Sequence, residues 1–220
     1  MKNIILIAAP AAGKGTQAKL LQQKYAFAHI SIGDLIRSSL TDDNDFSKKL
    51  KEKMQKGELI DDNLIFKLLT ARLALSDCSQ GYILDGFPRN VNQAIMYDKM
   101  LLDNHKNIGH VILLDVAKDV VKNRVLGRQT CPSCGNIYNK FNENKPKTDN
   151  VCDNCHIALT SRDDDNSDTF EKRYQTYLNE TMPIINYYQS KGALKIIDGS
   201  ISQDYTFREI EKIVSEDKDD

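Results

Sequence analysis

Residues 8–17 read Ala-Ala-Pro-Ala-Ala-Gly-Lys-Gly-Thr-Gln and follow directly on the apolar run 4–7. A buried strand that breaks into Gly13-Lys14-Gly15-Thr16 and continues as a helix makes a cradle for phosphate. Backbone N–H groups at the helix start, Gly13 to Thr16, point at an anion, and Lys14 reaches its outer oxygens. The literal phosphate-loop pattern, G-x-x-x-x-G-K-[ST], is missed twice. Ala8 stands at the first glycine, and Gly15 precedes Thr16 where the pattern has the hydroxyl. Taken alone, the segment reads equally well as an ordinary strand-to-helix turn.

Four cysteines form a second constellation. Cys131 and Cys134 make one CxxC, Cys152 and Cys155 another, and 17 residues lie between the pairs. Two tight turns that each present two thiolates complete a tetrahedron around zinc, with Zn–S distances of about 2.3 Å. All four positions being thiolate leaves no open coordination site, so the expected role is structural. Cys152 to His156 also spells a haem-attachment sequence, and either pair could be a redox dithiol or a disulfide. The second CxxC and the polar insertion that holds both favour zinc, with His156 a neighbour and not a ligand. Cys78 stands apart and reads as packing.

The third signal is a series of arginines in short motifs. These are Ser31-Ile32-Gly33-Asp34-Leu35-Ile36-Arg37, then Asp85-Gly86-Phe87-Pro88-Arg89 with Gln93, then Arg124 with Gly127-Arg128. Arg162-Asp163-Asp164-Asp165 and Lys172-Arg173 follow. In this order behind Gly13-Lys14, they resemble the adenylate kinase family of nucleoside monophosphate kinases over essentially the whole chain, including the zinc-bearing lid of one branch.

The resemblance implies an α/β P-loop nucleotide kinase that moves the γ-phosphoryl of ATP to AMP, giving two ADP, with Mg²⁺ accompanying ATP and zinc held in the lid. Such a reaction needs no side-chain base, because the attacking phosphate oxygen is already anionic. It needs two polyanions brought together and charge stabilised on the transferred group. Guanidinium forks, each able to chelate two phosphate oxygens, suit that task. The resemblance assigns Ala12, Gly13, Lys14, Gly15, Thr16, Arg124, Arg128 and Tyr138 to ATP. It assigns Ile32, Arg37, Gly86, Arg89, Gln93, Arg162 and Arg173 to AMP. Lys14, Asp85, Arg89, Arg124, Arg128, Arg162 and Arg173 then carry the chemistry, Asp85 orienting waters around Mg²⁺ and Asp164 and Asp165 latching arginines. The family's mobile covers fall at residues 31–60, over the monophosphate, and 128–165, over ATP; residues 1–30, 61–127 and 166–220 form the core.

Four residues depart from the family pattern. Glycine is usual where Ala8 and Ala11 stand; a left-handed backbone at either would cost alanine about 1–2 kcal/mol. Ile32 replaces a threonine beside the monophosphate base, and Gln129 replaces a second arginine after Arg128. Two other readings follow: a kinase for UMP, CMP or GMP, and a silent nucleotide-binding homologue whose lid contacts a partner. The lysines at 140, 145 and 147 also invite a zinc-ribbon nucleic-acid reading.

Elements must hold these groups in place. Four β-branched runs, 4–7, 82–84, 110–115 and 193–197, read as buried parallel strands. Helical patterns occupy 15–25 (Ala18, Leu20, Leu21, Tyr25), 61–76 (Leu64, Leu68, Leu75, opened by Asp61 and Asp62) and about 169–189, where Pro183 should kink or break the last. Strand alternating with helix means a doubly wound parallel sheet with helices on both faces and ligands at the strands' carboxyl ends. At 220 residues the chain can form one such domain with insertions. Formal net charge is −1, aromatics are 7% and tryptophan is absent, so no broad basic or stacking surface favours nucleic acid. No apolar run approaches the roughly 20 residues of a membrane span. Residues 2–12 resemble a minimal signal peptide, but cleavage there would remove the strand before Gly13. A cytoplasmic monomer is expected, and the acidic residues 216–220 read as a frayed tail.

Overall fold

Along β1 (Lys2–Ala8), Ile5 and Ile7 bury in one hydrophobic cluster while Ile4, Leu6 and Ala8 bury in another. Successive side chains of a strand point to opposite faces, so this sheet is covered on both. The computed structural model describes residues 2–38, 48, 52–53 and 60–215. Much of the expected 31–60 insertion, and the 216–220 tail, therefore lie outside the described residues.

β1 is the central strand. With β2 (Ala28–Ser31), β3 (Gly81–Asp85), β4 (His110–Asp115) and β7 (Leu194–Asp198) it forms a five-stranded parallel sheet in the order β2-β3-β1-β4-β7. Leu6 pairs in register with Asp85 on one side and Ile112 on the other, which brings the chain after Ala8 to the carboxyl edge beside Asp85. Strands β5 (Arg128–Thr130) and β6 (Ile137–Asn139) form a separate antiparallel pair.

One face carries α1 (Lys14–Tyr25), α5 (Lys118–Leu126), α6 (Ser167–Thr176) and α8 (Gln203–Ser215), through Leu21, Val121, Phe170 and Ile210. The other carries α2 (Ile32–Ser38), α3 (Asp62–Leu73), α4 (Val91–Asp103) and α7 (Met182–Ser190), through Ile36, Leu69, Tyr97 and Tyr188. Asp61 caps α3 as expected, its carboxylate accepting from Leu64 N–H at 3.0 Å. The apolar phase of α3 differs from the leucine pattern. Ile65 and Leu69 are buried, Leu64 and Leu68 only partly, and Leu75 lies beyond the helix and is 55% exposed.

The expected helix over 169–189 is three pieces. A π-helical turn at Tyr177–Thr181 separates α6 from α7, and Pro183 sits in the first turn of α7. Proline has no N–H for the preceding turn, and the wider turn absorbs the change. Thr181 uses its place there to donate its hydroxyl to the Arg89 carbonyl at 2.9 Å.

Residues 128–165 form a small lobe between α5 and α6. Of Ile137, Tyr138, Phe141 and Val151, only Tyr138 is buried, joined by Cys131, Cys152 and Leu159. So little apolar area cannot order a lobe of this size.

Candidate active site

The loop after β1 is built by one non-glycine and one glycine residue with positive φ. Ala11 has φ 60° and Gly13 φ 105°. Gly13 lies at the N-cap of α1, and its carbonyl accepts from Gln17 N–H at 3.0 Å. Ala8 stays within β1, so of the two alanines standing at family glycines only Ala11 adopts the left-handed backbone. The first N–H groups of α1, from Lys14 onward, have no intrahelical acceptors and face the loop's concavity.

Lys14 curls into that concavity. Its ammonium donates to the carbonyls of Ala8 at 2.9 Å and Ala9 at 3.2 Å. Burial lowers its pKa from 10.5 to about 8; Asp85 opposes this, while Arg89, Arg173 and Arg128 add to the fall. Arg89 is held low for related reasons, at about 10: burial first, then Arg173 and Arg37, against Asp85. Cations are thus crowded together at the carboxyl edge of the sheet, an arrangement that favours a polyanion.

Gly86 has φ 80°, and a Cβ there would lie 3.2 Å from Arg89 Nη2. The glycine lets Arg89 fold back and donate through Nε to the Gly86 carbonyl at 3.0 Å. Asp85 ends β3 with its carboxylate Oδ2 3.3 Å from His29 Nε2. Burial works to raise the Asp85 pKa, but the His29 hydrogen bond and the Lys14 charge outweigh it and hold the carboxyl below its usual range. No sequence motif marks His29, because the β2 that carries it is short and only alternate residues of it are buried.

The cleft itself has a volume of about 1090 Å³, its open mouth included, and is lined by Lys14, Ile32, Gly33, Arg37, Gly86, Arg89, Gln93, Asp164 and Arg173 among others. Thr176, Tyr177 and Thr181 of the π-helical region complete one wall. Arg173 donates to Asp164 at 2.7 Å, and Arg128 makes a two-pronged pair with Asp165, Nε to Oδ2 at 2.7 Å. Arg162 lies close enough to both aspartates, and to Arg128 and Arg37, to feel their charges. Arg37 pairs with Asp34 one turn away. Arg124 lies apart from the cleft lining. Its guanidinium donates to the Ala12 carbonyl at 3.5 Å and the Gly199 carbonyl at 3.3 Å, stitching the loop to the chain after β7.

One expected ligand residue, Tyr138, is placed away from the cleft lining. Tyr138, assigned to ATP, is buried in the small lobe; its hydroxyl lies 3.5 Å from Cys152 Sγ and accepts from Asp153 N–H at 3.0 Å. An aromatic flanked by CxxC turns packs on them more readily than it reaches out. Gln93 does line the cleft, yet it is 2% exposed and both ends of its amide are engaged.

The four cysteines come together. The sulfurs of Cys131, Cys134, Cys152 and Cys155 lie within 4.8 Å of one another, and Cys134 Sγ is 3.7 Å from Cys152 Sγ. A tetrahedron with Zn–S of about 2.3 Å has S···S edges of roughly 3.8 Å, so the donor set fits zinc. His156 is exposed and outside the cluster. Among the described residues, no helix is long and apolar enough to cross a membrane.

Comparison with known proteins agrees with this geometry. The family model described as Adenylate kinase matches residues 6–193. The adenylate kinase of Thermotoga neapolitana is 44% identical over 215 residues, 97% of each chain. That of Clostridium novyi is 40% identical over 217 residues, 98% of this chain and all of the other. That of Archaeoglobus fulgidus is 41% identical over 216 residues, covering 98% and 99%. With a phosphate loop at the centre of a parallel sheet, a cleft ringed by cations and relatives of this extent, the chain belongs to the adenylate kinase family of phosphotransferases.

Proposed function

We propose that the protein transfers the γ-phosphoryl of ATP reversibly to AMP, giving two ADP, with Mg²⁺ accompanying ATP. The observation that carries this reading is the gathering of Lys14, Arg37, Arg89 and Arg173 around one cleft, with Arg128 near enough to act on Lys14 and Arg162 near enough to feel Arg37. Lys14 and the amides of Gly13 to Thr16 hold the ATP phosphates. Arg37 and Arg89 grip the monophosphate, while Ile32, Gly86 and Gln93 frame the acceptor. Arg128, Arg162 and Arg173 close on the group in transit, exchanging aspartate partners for phosphate oxygens. Asp85, kept ionised by His29 and Lys14, would hold waters of a bound Mg²⁺, which would supply charge neutralisation for the phosphates. Arg124 steadies the loop from behind.

Residues 128–165 act in this reading as a cover over ATP and the 31–60 segment as a cover over the monophosphate. Closure excludes water, the competing phosphoryl acceptor. The four cysteines would hold zinc, which would order the larger cover away from substrate. The test is direct: purified protein with Mg-ATP and each of AMP, GMP, UMP and CMP. ADP formation with AMP in clear excess over the others supports the reading. Ile32, which brings no hydroxyl to the acceptor pocket, is the observation that favours the rival acceptors; a faster rate with UMP, CMP or GMP would establish that alternative.

A further inference from the structure

Asp62 opens α3, far in sequence from the phosphate motifs, yet three side-chain amides converge on its carboxylate. Asn90 Nδ2 donates at 3.0 Å, Asn92 Nδ2 at 2.8 Å and Gln93 Nε2 at 2.7 Å. Burial acts to raise the Asp62 pKa, but these donors prevail and hold the carboxyl below its usual range, so it is an acceptor only at neutral pH. At the other end of the same side chain, Gln93 Oε1 accepts from the backbone N–H of Arg89 at 2.8 Å. A backbone N–H can only donate and a carboxylate can only accept. The orientation of the Gln93 amide is therefore dictated by chemistry, oxygen toward Arg89 and nitrogen toward Asp62.

The consequence falls on the second Nε2 hydrogen, which has no protein acceptor among the described residues. Gln93 lines the cleft together with Ile32, Ile36, Ile60 and Ile65. The amide's one uncommitted hydrogen is a donor, while its oxygen is turned to the Arg89 N–H. We infer that Asp62 is a positioning residue for acceptor selectivity: by locking the Gln93 amide it makes this wall of the cleft a hydrogen-bond donor, which accepts a base whose ring nitrogen carries a lone pair and rejects one whose corresponding nitrogen carries hydrogen. The inference rests on the acceptor reading above and adds the residue that enforces it. Adenine N1 has the lone pair. Hypoxanthine N1 carries a proton and would set N–H against N–H. Ile32 sharpens the effect, since its side chain offers no hydroxyl to compensate.

AMP and IMP differ at that edge and share the rest of the purine, ribose and phosphate, so their ratio of kcat/KM is the measurement. Wild-type protein is expected to favour AMP by about a hundredfold or more. Asp62→Ala frees the amide to turn and should reduce that ratio at least about tenfold, with KM for ATP unchanged. Asp62→Asn retains one acceptor for the amide cluster and so protects the fold; it should give an intermediate ratio. A purely structural stitch between α3 and α4 would lower the rates with both acceptors alike and leave the ratio where it was. A wild-type preference for AMP that persists undiminished in both variants overturns the inference alone. Wild-type protein that phosphorylates IMP as readily as AMP overturns the acceptor reading and the inference together.

Discussion

Ala11 holds φ at 60°, a conformation that places its Cβ against the following carbonyl, while Ala8 is an extended residue at the end of β1. The two positions, alike in the family pattern, therefore predict opposite outcomes. Ala11→Gly should raise stability by about 0.5–1 kcal/mol, because glycine sheds the left-handed strain and gives back only part of it in chain entropy. Ala8→Gly should lower stability by a similar amount, since glycine in a strand loses packing and gains unfolded-state freedom. Urea melts of both variants check this, and changes of the same sign would show that the loop does not strain Ala11. Lys14 supplies the residue-scale pH prediction. It titrates at about 8 when folded and 10.5 when not, so between those values the unfolded chain holds the extra proton and stability rises with pH. A bound polyphosphate reverses the preference and restores the ammonium. ATP affinity should fall as pH rises through about 8, and ATP binding near pH 8.5 should take up protons, visible by calorimetry in buffers of different ionisation enthalpy. Binding with no proton uptake there would show Lys14 to be charged throughout.

Lys19 links two elements that carry different parts of the chemistry. It lies on α1, the helix that begins at the phosphate loop, and its ammonium donates to the Gly135 carbonyl at 2.5 Å, at the end of the first CxxC turn. The small lobe is thereby fastened to the helix that follows the phosphate loop, the ATP side in the proposed reading. Lys19→Ala should raise KM for ATP several-fold, the value of about 1 kcal/mol for such a partly exposed bond, and leave KM for AMP alone. An equal rise for both would place the contact outside lobe closure. The lobe's own order depends on the cysteines, whose metal ligation in small domains is worth an apparent 10–16 kcal/mol. About one zinc per chain should be released by a thiol-reactive mercurial, and the melting temperature should fall afterwards. Cys134→Ser should lower thermal stability more than it lowers turnover at moderate temperature; loss of turnover with melting unchanged would identify a catalytic ion instead. These cysteines, like the phosphate loop and the arginine motifs, were legible because their spacing itself is the signal. Elements without such a signal were not. β2 has four residues with only alternate ones buried, and the polar sequences of α5 and α8 hide the few side chains, Val121 and Ile210 among them, that seat them on the sheet. The Asp62 cluster was equally invisible, since a carboxylate at a helix start reads first as a cap.

Across the whole molecule, a chain of net charge −1 concentrates cations at one edge of its sheet. Helices on both faces and the hydrophobic strands between them supply the stability; the cleft costs some of it. Arg89 shows the balance. Burial first, then the nearby Arg173 and Arg37, push its pKa from 12.5 down to about 10 against the Asp85 counter-charge. A fall of that size corresponds to a penalty on the order of 3 kcal/mol for holding the charge there. Its Nε bond to the Gly86 carbonyl at 3.0 Å returns roughly 1–2 kcal/mol. The nucleotide-free protein thus holds a buried and crowded cation, and a bound phosphate offsets both costs. Methionine at position 89 keeps most of the arginine stem's packing and removes the charge. Arg89→Met should therefore melt at or slightly above the wild-type temperature without nucleotide. With saturating AMP the wild-type protein should gain stability by ligand linkage, and the variant should lose most of that gain while keeping the gain from ATP. Thermal melts with neither nucleotide, with each and with both separate the terms. A variant that melts well below wild type when empty, yet rises as far with AMP, would mean that Arg89 supports the fold and that the acceptor phosphate is gripped elsewhere.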